Sequence, residues 1–143
     1  MPLYSVINLA NQPLNWAALT GSLEWDDDSR IIDVSRCDKI QAYVDIDPAA
    51  SSTDILIGFF TSPDEDVALE ADFFQNTHPS EAGGVITEQD ATHQIVVSGG
   101  VAEKKNFIID TPGDKRMIVK AGETGDVGGV LAITLVGVVI NHS

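Results

Sequence analysis

The sequence predicts an all-β protein built as an antiparallel β-sandwich. Along its 143 residues, apolar positions alternate with polar ones or form short runs, and no stretch has the spacing of a long amphipathic helix. Residues that favour turns interrupt these segments about every ten positions, as is typical of sandwiches and barrels. A chain of this length is expected to form one domain with its own core.

The clearest strand is predicted at residues 39–46, KIQAYVDI, where every second residue is apolar. This alternation indicates one buried and one solvent-exposed face. After a polar loop at 47–53, the run ILIGFF within 54–61 is apolar on both faces. We expect it to be a central strand whose outer face needs a cover, which a neighbouring subunit could provide. Gly58 in this run indicates a bulge or a close backbone approach.

The remaining elements follow from shorter patterns. Residues 68–74 fit either a strand or a short helical turn, and the glycines of 121–129 predict a loop. The run at 130–140 is rich in β-branched residues and is shorter than the roughly 20 residues of a membrane-spanning helix, so it is predicted to be a buried strand. Further strands are expected at 31–34, 94–98, 106–110 and 117–120, with one more within 16–25.

The sequence predicts two parts of the chain, with a boundary after residue 15. Residues 1–15 are expected to form an extended N-terminal arm, and 16–143 a single β-sandwich domain. The N-terminus has no basic segment followed by an apolar run, so it does not resemble a signal peptide. Cys37 has no second cysteine with which to form an intramolecular disulfide, and we expect it to be buried as a small apolar residue.

The charge is strongly acidic, with 22 acidic residues against 8 basic ones and a net charge of −14. Such a surface repels phosphate, so nucleic acid is not an expected partner. We also expect no membrane partner.

No motif for catalysis, cofactor binding or metal binding is found, so we expect no enzyme and no cofactor. The acidic runs at 26–28 and 64–66 lack the ligand spacing of an EF-hand, which favours solvated turns and leaves a cation site as the alternative. His78, His93 and His142 are too widely spaced for a recognisable zinc motif. The loop GETGDVGG is not followed by the Lys and Ser or Thr of a phosphate-binding loop.

Three aromatic residues could stack on a sugar: Trp16, Trp25 and Tyr43. Tyr43 lies on the polar face of its predicted strand and should be the most exposed of them. Aromatic residues on strands also form cross-strand pairs or subunit contacts, so both interpretations stay open.

Two segments resemble small virion proteins of tailed bacteriophages. In IQAYVDIDPAASSTDILIGFFTSPDED, a strand of the form xIxVYVDI is followed by a loop and by a strand ending in SPD. The segment FIIDTPGDKRMIVKAGETGDVGGVLAITLVGVV is similar to the closing strands of the same proteins. The resemblance implies a β-sandwich of jelly-roll type with a structural role in the particle. Capsid decoration (cement) proteins, which commonly form trimers on the outer capsid surface, fit best by size.

These observations lead to a functional expectation without catalytic residues. We expect a capsid decoration subunit that assembles in the bacterial cytoplasm and acts on the outer surface of the virion. Its expected partners are the major capsid protein and further copies of itself, as a homotrimer. The alternative is a carbohydrate-binding or adhesin-like module of a phage tail or fibre. The candidate contact residues are Leu3, Tyr4, Val6 and Ile7 for docking of the arm, and Tyr43, Leu56 and Phe60 for subunit packing.

Overall fold

Two antiparallel sheets make up the protein in a computed structural model, which describes residues 3–9, 12–76 and 92–141. The strands are β1 (Leu3–Asn8), β2 (Leu14–Trp16), β3 (Glu24–Trp25), β4 (Ile32–Asp33), β5 (Lys39–Asp47), β6 (Asp54–Ser62), β7 (Phe74–Gln75), β8 (Thr92–Val96), β9 (Glu103–Asp110), β10 (Arg116–Thr124) and β11 (Val130–Asn141). A short 3-10 turn at Glu70–Asp72 precedes β7. The predicted all-β sandwich is confirmed.

The strand order is that of a jelly roll. The five-stranded sheet runs β1-β11-β5-β9, with β2 also beside β11. The six-stranded sheet runs β3-β10-β6-β7, with β4 beside β10 and β8 beside β6. Three pairs of strands (β1 with β2, β3 with β4, β7 with β8) each lie end to end along one neighbouring strand and so occupy one position in a sheet. The eleven strands therefore fill eight positions. Numbered along the chain, these positions follow the order 1-8-3-6 in the five-stranded sheet and 2-7-4-5 in the six-stranded sheet, which is the double-sheet jelly-roll arrangement. Successive positions alternate between the sheets except for 4 and 5, which are neighbours in the six-stranded sheet.

The core lies between the two sheets. Alternate residues of β5 are buried as predicted, and they meet inward-facing residues of β6, β10 and β11. Trp16 and Phe59 are the largest of the fully buried side chains. Cys37 is also buried, as expected, and burial raises the pKa of its thiol.

The segment predicted as an arm contributes to the five-stranded sheet. Within residues 1–15, β1 pairs along its whole length with β11, from Leu3 opposite Asn141 to Asn8 opposite Val136. Farther along, β2 pairs with the same strand, with Leu14 opposite Ile133. The backbone at 3–8 is therefore extended, and its hydrogen-bonding groups meet a partner strand on one side.

The loop in the glycine-rich segment starts later than predicted. The prediction placed a loop at 121–129, but β10 continues to Thr124, so the expectation is wrong for 121–124. Gly122 is needed within the strand because a Cβ atom at this position would lie 2.6 Å from the carbonyl oxygen of Ser22. The glycine that suggested a loop thus allows another segment to cross the strand closely.

Candidate functional site

The histidines and acidic turns do not form a metal centre within the described ranges. No group of three or more His, Cys, Asp or Glu residues there could hold a metal ion. His93 lies between the rings of Phe59 and Phe107, at centroid distances of 5.4 and 4.8 Å. His78 and His142 are outside the described residues. No helix in these ranges is long and apolar enough to cross a membrane.

In the first acidic run, residues 26–28, two carboxylates hold neighbouring backbone segments in place through hydrogen bonds. Asp26 is 2% exposed, and its carboxylate accepts a hydrogen bond from the Arg30 amide at 3.0 Å and pairs with the Arg30 guanidinium at 3.4 Å. Asp27 accepts a hydrogen bond from the Ala17 amide at 2.8 Å. The expectation of a solvated turn is therefore wrong for Asp26, which is buried because Arg30 and the backbone satisfy its charge.

Carboxylates also organise the loops at one end of the sandwich. Glu123 is 1% exposed and accepts hydrogen bonds from the amides of Ala49 at 2.9 Å and Gly129 at 2.8 Å. Asp126 accepts another from the Ser51 amide at 3.1 Å. The amide of Gly129, which a phosphate-binding loop would direct toward a ligand, is thus bonded to a carboxylate of the chain itself.

The outer face of the six-stranded sheet has an apolar centre, which we call the Phe60 face. Its members are Leu23, Trp25, Leu56, Phe60 and Ile118. Phe60 lies opposite Ile118 in the β6–β10 register, and Ile118 is fully buried although it lies outside the core between the sheets. Leu56 and Phe60, both predicted as packing residues, are half-buried here.

Charged pairs border the Phe60 face. The Lys120 ammonium lies 4.8 Å from the centroid of the Phe60 ring and 3.6 Å from the Glu70 carboxylate. Arg116 pairs with Asp33 at 3.0 Å. The arrangement is an apolar centre with a charged rim, and it is typical of protein interfaces.

The chain supplies part of the cover that the outer face of β6 was expected to need. Leu23 crosses above Gly58, where a Cβ atom would lie 3.8 Å from Leu23 Cδ1 and 2.8 Å from Phe60 Cε2. The atoms near Gly58 belong to side chains, so the close backbone approach predicted there is not seen. Leu56 and Phe60 still keep part of their surfaces accessible to solvent.

The outer face of the five-stranded sheet carries polar side chains together with the exposed apolar side chains of Ile108 and Val130. It contains an open groove of about 380 Å³, which we call the Tyr43 groove. It is lined by Pro13, Tyr43, Val44, Asp45, Lys104, Lys105, Asn106, Ala132 and Thr134. Tyr43, which is 44% exposed, lies between Thr134 of β11 and Asn106 of β9 in the strand register. In the next row, the carboxylate of Asp45 lies 3.1 Å from the Lys104 ammonium.

The three aromatic candidates for sugar stacking have different environments. Trp16 is 2% exposed and donates its indole N–H to the Glu24 carbonyl at 2.9 Å, so it is a core residue. Trp25 is half-buried and donates to the Arg30 carbonyl at 3.0 Å. Of the three, Tyr43 alone is exposed, as its position on the polar face of β5 predicted.

Other contact residues were predicted or missed for identifiable reasons. Leu3, Tyr4, Val6 and Ile7 lie in β1, and their side chains are outside the described part of the structure. Asn106 and Thr134 were missed because nothing in the sequence gives the register that brings β9 and β11 to either side of β5. The polar positions of β5 were the available signal for this face.

Comparisons with known proteins give distant structural similarity. No protein-family model matches the sequence, and no curated protein matches it at a significant level. The structure is similar to the SPBc2 prophage-derived protein YomS, with a TM-score of 0.42, 10% identity, and coverage of 94% of this chain and 95% of that one. It is also similar to the K2 cleaved adhesin domain of Lys-gingipain, with a TM-score of 0.48, 11% identity, and coverage of 98% and 89%. A third similar structure is the non-crystalline cellulose specific carbohydrate-binding module CBM28, with a TM-score of 0.47, 12% identity, and coverage of 97% of this chain and 80% of that one. These similarities do not extend to function.

Proposed function

We propose that this protein is a structural virion protein, a capsid decoration subunit that binds the outer capsid surface as a homo-oligomer. The observation that carries the proposal is the Phe60 face, an apolar surface on the side of a sheet that points away from the core. In sandwiches with a solvated outer face, outward positions are mainly polar. An apolar outer face therefore favours a contact with another protein surface.

The two outer faces of the sandwich differ in a way that supports this assignment. Across the five-stranded sheet, the outward row through Asp45 and Lys104 is charged, and the row through Tyr43 continues into Thr134 and Asn106. Across the six-stranded sheet, the central outward row pairs the partly exposed Phe60 with Ile118, which the chain itself covers. Ile108 and Val130 are exposed on the five-stranded sheet, so the contrast lies in the central rows, which are polar or charged on that sheet and apolar on the six-stranded one. The apolar central row is suited to subunit packing.

The charge of −14 also fits this location. An acidic protein is repelled by the phosphates of DNA, so it is better placed on the outside of a DNA-filled shell than against the genome inside. The same charge makes copies of the protein repel one another, so the contact between them must bury enough apolar area to offset the repulsion. Because salt screens this repulsion, the oligomer should be more stable at higher ionic strength.

The test measures oligomeric state by size-exclusion chromatography with light scattering, together with sedimentation on capsids of the matching phage. Leu56→Asp places a carboxylate on the Phe60 face, and Ile108→Asp makes the same charge change at a position that is 60% exposed on the other sheet. We expect an oligomer for the wild type and for Ile108→Asp, and a monomer for Leu56→Asp.

Circular dichroism melts of both variants would establish that they are folded. Capsid binding should follow the oligomeric state. A wild-type protein that stays monomeric at about 0.5 M salt and does not sediment with capsids would contradict the proposal.

A further inference from the structure

We propose that the Tyr43 groove is a saccharide-binding site that takes an oligosaccharide of neutral sugars. This function goes beyond a structural role in the capsid, and it concerns the opposite sheet from the Phe60 face. The groove combines an exposed aromatic ring, hydrogen-bonding side chains on both sides of it, and a local charge balance that differs from the rest of the protein.

The aromatic ring is placed for stacking. Tyr43 is 44% exposed at the middle of β5, which lies between β11 and β9 in the sheet. Strand pairing on both sides fixes its backbone, so presenting the ring costs little conformational entropy. The C–H face of a sugar ring can pack on an aromatic side chain, as other apolar groups do.

Polar groups surround the ring where sugar hydroxyls would lie. Asn106 offers an amide donor and a carbonyl acceptor, and Thr134 offers a hydroxyl that donates and accepts. In the next row, Asp45 adds an acceptor and Lys104 a donor. A few placed polar groups around an apolar platform are the usual composition of a ligand cleft, and about 380 Å³ lies within the range of such clefts.

The ion pair in the groove is better suited to a ligand than to stability. The Asp45 and Lys104 side chains remain 59% and 83% exposed at a separation of 3.1 Å. A pair this accessible contributes little to folding. Its donor and acceptor atoms are therefore open to solvent and can be reached by ligand hydroxyl groups.

The local charge favours a neutral ligand. On the outward side of the groove, Lys104 and Asp45 carry one charge of each sign, whereas Lys105 lies opposite the buried Val44 and its side chain belongs to the other face of the sheet. This side of the groove is thus close to electrically balanced on a protein of net charge −14. That overall charge repels polyanionic glycans over distances of about 10 Å at 0.1 M salt.

The experiment is a glycan array followed by calorimetric titration of the oligosaccharides that bind. We expect binding to neutral oligosaccharides that changes little between about 0.05 and 0.5 M salt. Tyr43→Ala should lower the affinity by roughly tenfold, because the stacking platform is lost. Tyr43→Phe keeps the ring and should bind within about threefold of the wild type.

Phe74→Ala is the matched control, since Phe74 is 68% exposed and belongs to the other sheet. It should leave binding unchanged. Absence of binding to every neutral glycan would overturn the proposal, as would equal affinity for wild type and Tyr43→Ala. So would binding restricted to charged glycans and abolished by salt. Oligomeric state separates this test from the previous one, because Tyr43→Ala should remain oligomeric and Leu56→Asp should still bind saccharide.

Discussion

The Glu123 carboxylate accepts a hydrogen bond from the Gly129 amide at 2.8 Å, and a Cβ atom at position 129 would lie 2.6 Å from its other oxygen. A side chain at position 129 would therefore displace the Glu123 carboxylate, and loss of the carboxylate would leave the Gly129 amide without this acceptor. The other oxygen also accepts a hydrogen bond from Ala49, so this one side chain joins the loop after β5 to the loop before β11.

Replacing Glu123 should destabilise the protein more than its single charge suggests. Hydrogen bonds to charged groups contribute about 1.5–3 kcal/mol each, and Glu123→Ala leaves two amides without their acceptor. We expect a loss of about 3 kcal/mol in the free energy of unfolding, measured by urea denaturation. Glu24→Ala removes an exposed glutamate and serves as the control. Equal effects of the two substitutions would show that the buried carboxylate has no special role.

Two glycines should respond differently to the same substitution. Gly122→Ala places a methyl group 2.6 Å from the Ser22 carbonyl oxygen, which forces the crossing segment to move. We expect a cost of about 1–3 kcal/mol, as for overpacked cores. Gly21→Ala has no atom within 4 Å of the new methyl group and should be neutral or slightly stabilising. Thermal melts of both variants would measure the difference, and a stable Gly122→Ala would contradict the close crossing.

Asp33 should make the stability of the protein sensitive to acid. The Ser35 hydroxyl, at 2.6 Å, and the Ser35 amide hold the pKa of Asp33 below its ordinary value, and Arg116 acts in the same direction. A carboxyl with a lowered pKa stabilises the folded state above its unfolded pKa of about 3.9 and loses this contribution as pH falls through the folded value.

The corresponding variant is Asp33→Asn. It should be less stable than the wild type at about pH 7, and the gap should narrow as the pH falls to about 3. Urea denaturation at several pH values measures this gap, with Asp28→Asn as a control that removes an exposed carboxylate. A gap that does not change with pH would rule out this role for Asp33.

Cys37 should be protected from alkylation in the folded protein. Its side chain is 4% exposed, and burial raises the pKa of the thiol, so thiolate is scarce as well as inaccessible. Labelling with iodoacetamide at about pH 8 should be at least about a hundredfold slower than in denaturant. Because the chain has one cysteine, mass spectrometry reads the reaction directly. Similar rates in both states would mean that Cys37 is accessible.

Local periodicity predicted the strands that have one clear pattern. β5 was identified by its alternation, β6 by its continuous apolar run, and β11 by its β-branched residues. The pairing of β1 with β11 could not be predicted, because the two strands are far apart in the sequence. Gly122 was placed in a loop because local sequence does not show that Ser22 crosses above it.

The candidate sites show the same division between local and long-range information. The exposure of Tyr43 followed from its position on the polar face of one strand. Its neighbours Asn106 and Thr134 depend on strand register, which is set by contacts far apart in the sequence. The hydrogen bond between Glu123 and Ala49 could not be predicted either, because the two residues are 74 positions apart in the sequence.

The position of β11 has a consequence for how the protein is made. This twelve-residue strand is the last of those described, yet it lies inside the sheet, with β5 on one side and β1 and β2 on the other. A nascent chain cannot complete the five-stranded sheet until residues 130–141 have left the ribosome, and until then one edge of β5 stays open to other chains. Closure of the sheet should therefore be slow and late, and the growing polypeptide should be most prone to aggregation until β11 has paired with β5.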